Sequence, residues 1–125
     1  MNFRFCVVRS RGAIAPHVMT DVADALGFLG YETLVLDLQA EGVYAVRTAE
    51  DAHRVAERIA GRLKAFGATH ALGYGLAGQI EIGGGSGQGG VNTLFREIGL
   101  TEVLMFFDAP LNAIEQLKRD AGAKQ

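Results

Sequence analysis

A single cysteine, Cys6, among 125 residues leaves nothing for an intramolecular disulfide to join. It sits inside an apolar run, the setting of a small buried hydrophobe rather than of a reactive thiol. The sequence does not open on a charged segment followed by a long apolar one, so the expected compartment is the cytoplasm. Basic runs are missing too, and the formal net charge is −2. Without a basic footprint the chain is not expected to hold a nucleic-acid backbone. No apolar stretch approaches the roughly 18 residues of a membrane span, so a membrane partner is not expected either. There is no cluster of cysteine and histidine, no H-E-x-x-H, no G-x-S-x-G and no G-x-x-x-x-G-K-[ST]. Those absences remove support for metal hydrolysis, triad chemistry and a P-loop, and no metal is expected.

What is present is the composition of one globular domain spanning 1–125: 49% hydrophobic and 21% charged. "FRFCVV", from Phe3 to Val8, reads as a buried strand that stops at "RSRG". Val18, Val22, Ala25, Leu26 and Leu29 then recur at helical spacing, with Pro16 suited to the first turn and Gly30 to the far end, which predicts a helix over 16–29. "YETLVLDL" follows as a second strand. Thr48 and Asp51 have the spacing of a capping box, Ala52, Val55, Ala56, Ile59 and Leu63 form one stripe, and Glu50 and Arg54 stand four apart on the wet side. Gly67 closes this second helix, and "ATHALGY" gives a third strand. Asn92 is expected to cap a short helix that ends at Gly99, "TEVLMFF" is a fourth strand, and Asp108 is expected to cap a last helix with the stripe Leu111, Ile114 and Leu117.

Strands and helices alternate, and the strands look interior, which argues for a parallel sheet covered on both faces. The expectation is a three-layer α/β sandwich, Rossmann-like, with about four strands in the order 3-2-1-4 and the flavodoxin-like order second. In the first order the apolar fourth strand is an edge, and such an edge calls for a cover: a second copy of the chain in a homodimer, or a further C-terminal domain.

Ligands of open α/β sheets bind where the carboxyl ends of the strands meet a switch in strand order. Order 3-2-1-4 puts that switch between strands one and four and nominates Arg9, Arg11, Gly12, His17 and Asp108 as residues around a small-molecule ligand. Arginines there suit a carboxylate or phosphate, and His17 opens a helix, where a proton donor or a phosphate contact is useful.

Between His70 and Asn92 the chain reads "HALGYGLAGQIEIGGGSGQGGVN", with nine glycines among twenty-three residues. "GYGLAG" fits G-x-G-x-x-G, but it follows the third strand rather than the first and no helix can start before about Val91, so NAD is not expected. Glycines permit close backbone approach to a ligand, and Tyr74, Gly75, Gln79, Glu81 and Asn92 are the groups best placed to contribute. Receiver domains share the size and class, but they need acidic residues after strand one and an aspartate ending strand three. Here Arg9-Ser10-Arg11 and Leu72-Gly73-Tyr74 occupy those places.

Two segments carry a family resemblance. "VVRSRGAIAPHVMTDVADALGFLGYETLVLDLQ", residues 7 to 39, resembles the opening of GT-B glycosyltransferases, and "NTLFREIGLTEVLMFFDAP", residues 92 to 110, resembles CgeB-like spore-maturation members. The resemblance implies an acceptor-side N-terminal domain, not catalytically complete alone, with a nucleotide-sugar held through a second domain. Carried over by position, it places Gly12, His17 and Asp108 along the interdomain cleft. The competing expectation is a stand-alone regulatory module that binds a nucleotide or metabolite.

Overall fold

In the computed structural model the described residues are 2–12, 14–75, 80 and 93–105. The chain runs β1 (Arg4–Arg9), α1 (Ala15–Phe28), β2 (Glu32–Asp37), a 3-10 turn (Val43–Ala45), α2 (Ala49–Phe66), β3 (His70–Tyr74), α3 (Leu94–Glu97) and β4 (Thr101–Met105). All pairings are parallel, and the sheet order is β2-β1-β3-β4. The expected α/β class with a parallel, helix-covered sheet is therefore present. The 16–29 helix is α1, and the capping-box helix is α2. The expected last helix and its Asp108 cap fall outside the described residues.

The strand order corrects the 3-2-1-4 expectation: the flavodoxin-like arrangement, second in the sequence reading, is the one adopted. Burial gives the reason. Cys6, Val7 and Val8 of β1 are all 0% exposed, so this strand is covered on both faces. Ala71, Leu72 and Gly73 of β3 are buried in the same two-sided way. In β2, by contrast, Leu36 is 0% exposed while its neighbour Val35 is 41% exposed, the one-sided pattern of an edge. β3 therefore takes the interior place beside β1, and β2 the margin. A right-handed crossover serves either direction of travel, provided that the connecting helix lies on the matching face.

Two cores result, one on each face of the sheet. Cys6, Val8, Leu36 and Ala71 meet Ile59 and Leu63 of α2 and Leu94 and Phe95 of α3. Val7 and Leu72, which alternate with them, meet Met19 and Ala23 of α1.

The helices end alike. Tyr31 N–H donates to the Leu26 carbonyl and Gly30 N–H to Gly27; Ala68 donates to Leu63 and Gly67 to Lys64; Leu100 donates to Phe95 and Gly99 to Arg96. Each is the paired six-to-one and five-to-two closure of a Schellman motif. Each delivers the chain straight into the next strand, at Glu32, His70 and Thr101. Gly67 holds φ +78°, and a Cβ built there would sit 3.6 Å from the Arg4 Cδ. The contact is ordinary, so the cost of a side chain lies in the backbone. Replacing Gly67 with alanine is expected to cost about 1 kcal/mol net of the stiffer unfolded chain, and to lower the melting temperature by roughly 4 °C. Thermal unfolding followed by far-UV circular dichroism measures it; an unchanged midpoint would refute this account of the helix end.

Three local details differ from expectation. α3 is capped by Thr93, whose Oγ1 accepts from Arg96 N–H at 3.3 Å; the expected cap, Asn92, is outside the described residues. Arg54 pairs with Asp51, three residues back, rather than with Glu50, and the four-residue pair on that helix is His53–Glu57 at 3.0 Å. Between the second strand and the capping-box helix, where the sequence nominates no element, stands the 3-10 turn, and Glu41 ties this segment to α2 through Arg58 and Arg62.

Candidate functional site

In the order β2-β1-β3-β4 the chain passes from β1 through α1 to β2 on one side, and from β2 back across β1 through α2 to β3 on the other, so the switch lies between β1 and β3. This relocates the crevice from the β1–β4 position that the sequence reading assumed. β4 is separated from β1 by the whole width of β3, so Asp108, nominated because it follows the fourth strand, loses the adjacency that recommended it; the residue itself lies outside the described set, as do Gln79 and Asn92. Tyr74 and Gly75, nominated on separate grounds, are brought to the switch. Val7 is in register with Leu72, and two residues further along each strand stand Arg9 and Tyr74.

The loop leaving β1 holds the remaining nominees. Arg11 and Gly12 are exposed, and His17 is exposed on the first turn of α1. Gly12 has φ +143°, a conformation open to glycine, and a Cβ built there would meet nothing within 4 Å. Gly75, at the end of β3, is buried with φ +55°. Each of the two strand ends at the switch is thus followed by a glycine with positive φ.

Arg9 is engaged by the fold itself. Its Nη1 lies 3.2 Å from Asp37 Oδ2, and its Nε donates to the Pro16 carbonyl at 3.3 Å. One side chain thereby joins the ends of β1 and β2 to the start of α1. Asp37 is equally committed, because its Oδ1 accepts from the amides of Gln39 at 3.0 Å and Ala40 at 3.2 Å. The turn after β2 is therefore built on this carboxylate.

Arg11 differs. Its guanidinium lies over the Tyr44 ring, 4.4 Å from the centroid, and its backbone N–H donates to the Tyr44 hydroxyl at 2.9 Å. Among the described residues no carboxylate pairs with it. Tyr44 belongs to the 3-10 turn and packs on the core beneath α2, so the β1 loop is pinned from a distant part of the sequence.

Between these two arginines stands Ser10, 2% exposed, whose Oγ is buried without a hydrogen-bond partner among the described residues. Buried hydroxyls are nearly always satisfied, and an unsatisfied one costs about 1–3 kcal/mol. The other such atom among the described residues, Glu102 Oε1, lies on β4, near the amino end of the sheet. Neither Ser10 nor Tyr44 was among the residues nominated from the sequence. The signal for Ser10 was its place, the first polar residue after an unbroken apolar strand; Tyr44 left no sequence signal, because only the fold brings it to Arg11.

α1 begins beside this loop. Its N-cap, Ile14, supplies no side-chain hydrogen bond, Pro16 occupies its first turn, and no acidic residue lies in that turn. The positive end of the helix dipole is thus left without a side-chain counter-charge. Two surface depressions at the amino end of α2 have among their lining residues Arg54, His53 and Arg58, which are engaged by Asp51, Glu57 and Glu41 respectively. Among the described residues no group of three histidines, cysteines or acids is placed to hold a metal, and no helix is long and apolar enough to cross a membrane.

Comparison with protein-family models, curated proteins and solved structures returns no match to this chain.

Proposed function

We propose that this chain is a small-molecule-binding α/β domain whose ligand sits at the carboxyl rim between β1 and β3. The observation that carries the reading is the reversal of strand order at that point, because the diverging connections on either side of a switch leave a crevice that side chains do not fill. Glycine backbone at Gly12 and Gly75 adds the close approach that a ligand needs.

A second reading, the acceptor-side domain of a GT-B-type glycosyltransferase with CgeB-like features, is favoured by one local observation. The segment "ALGFLGYE" runs directly from α1 into β2 with Gly30 at the junction, as the resemblance implies. On that reading the nucleotide-sugar is gripped by a second domain, which also covers the β4 edge. On the first reading a second copy of the chain covers it. A reading frame that continues past residue 125 into a nucleotide-sugar-binding domain would favour the transferase.

The test of the rim itself is an amide chemical-shift screen with UDP, GDP, FMN, NAD and sugar phosphates. The expected result is that at least one compound moves the amides of Ser10, Arg11, Gly12, Tyr74 and Gly75 together, with NAD the weakest. Shifts confined to the amino end of the sheet, or none with any compound, would sink the reading.

A further inference from the structure

We infer that the group held at the β1–β3 rim is an oxyanion, a phosphate ester above all, bound by the Ser10 hydroxyl and the Arg11 guanidinium, with Tyr44 as the positioning residue for Arg11. This inference rests on the rim being the binding site and adds the chemistry of what binds.

Charge at the rim gives the first argument. Arg9 and Asp37 neutralise each other, and the second oxygen of Asp37 is taken by two backbone amides. Glu41, the nearest other acid in sequence, is 12% exposed in its side chain and is held by Arg58 and Arg62. Arg11 is left as the one cation of the described strand ends without an acidic partner, and the uncapped amino end of α1 adds positive potential of its own. A ligand bearing negative charge gains from both, whereas a neutral or cationic one gains from neither.

Ser10 gives the second argument, and it is independent of charge. Its hydroxyl, one residue beyond the last position of β1, is buried and lacks a partner among the described residues. An oxygen of a bound phosphate supplies the acceptor that this O–H lacks. Serine to anionic oxygen is a charge-assisted hydrogen bond, shorter and stronger than one between neutral groups. A carboxylate would also accept it, but a tetrahedral phosphate has a third oxygen with which to meet an exposed backbone amide of the loop at the same time.

Tyr44 completes the arrangement. Its ring carries the guanidinium and its hydroxyl fixes the Arg11 amide. The cation is thereby ordered before the ligand arrives, which lowers the entropy lost on binding.

The experiment titrates matched pairs (UMP and uridine, glucose 6-phosphate and glucose, FMN and riboflavin), together with inorganic phosphate, into the full chain. Amide shifts at Ser10 to Gly12 are read for the wild type, Arg11→Gln, Ser10→Ala and Tyr44→Phe. The phosphorylated member of at least one pair is expected to bind about tenfold or more tighter than its partner; Arg11→Gln should remove about tenfold of that affinity, and Ser10→Ala a few-fold. Tyr44→Phe should weaken the phosphorylated ligand while leaving the unphosphorylated one unaffected, which a purely structural role would not do. Retained dispersion of the amide spectrum shows that each variant is folded. Inorganic phosphate binding as tightly as the esters would support the inference and identify the free anion as sufficient. Equal binding of the two members of every pair, or unchanged affinity in Arg11→Gln, would overturn the oxyanion and leave the rim standing. Absence of any shift at the rim would overturn both.

Discussion

Replacing Phe95 with alanine is expected to remove about 3–5 kcal/mol of stability, the usual cost of truncating a fully buried aromatic. A domain of this kind is stable by only about 5–15 kcal/mol in total. The ring is 1% exposed and packs in the core that joins α2, α3 and the sheet. α3 has four residues, too few to be helical on their own account. It is held by what it buries, by the Thr93 cap and by the Leu100 amide on the Phe95 carbonyl. Loss of the ring therefore opens a cavity and releases the segment that leads into β4. Urea unfolding measures the effect as a lower midpoint. Phe95→Leu, which keeps most of the volume, should recover most of the loss. A Phe95→Ala midpoint within experimental error of the wild type would contradict the assigned core.

The second large effect is expected in alkali. Burial pushes the Cys6 thiol up from 9.0 to about 12, with a smaller opposing pull from Arg62. The protonated thiol is the form that the folded state keeps, so the contribution is complete below pH 9, where both states hold the proton. Between pH 9 and about 12 the unfolded chain releases its proton and the folded chain does not. Stability is then expected to fall with rising pH at roughly 1.4 kcal/mol per unit from this group. Lysine and tyrosine titrate in the same window, so the comparison is with Cys6→Ala, whose stability curve should be flatter above pH 9. Identical slopes in the two proteins would refute the assignment. At neutral pH the native thiol should react with a disulfide reagent only as fast as the protein unfolds.

Much of this architecture is legible in the sequence, and the illegible remainder has identifiable causes. α2 is written out in full, because its cap, its stripe and its terminal glycine are all local signals that agree. β1 is legible as a strand for the same reason. Strand order is different: it depends on which strand is buried on both faces, and "ETLVLD" and "HALGY" do not disclose that. β2 looks more hydrophobic than β3, yet β3 is the interior one, since its small residues admit helices on both sides. The error in order moved the expected crevice from β3 to β4, and it put Asp108 forward. The nomination of the β1 loop did not depend on that error, because the loop lies beside the switch in either order. Tyr44 was beyond reach, being 33 residues from its hydrogen-bond partner.

The amide and carbonyl of Arg4 both meet Thr69, across 65 residues. During synthesis β1 can pair with β2 once α1 has formed, but its other edge stays open until β3 has left the ribosome. For that interval the most apolar strand of the protein, "FCVV", presents unpaired backbone to its surroundings, at the synthesis stage where strand-to-strand association between nascent chains is most damaging. Slower translation of α2, the long segment that must be completed before the exposed edge can be closed, is thus expected to lengthen that interval.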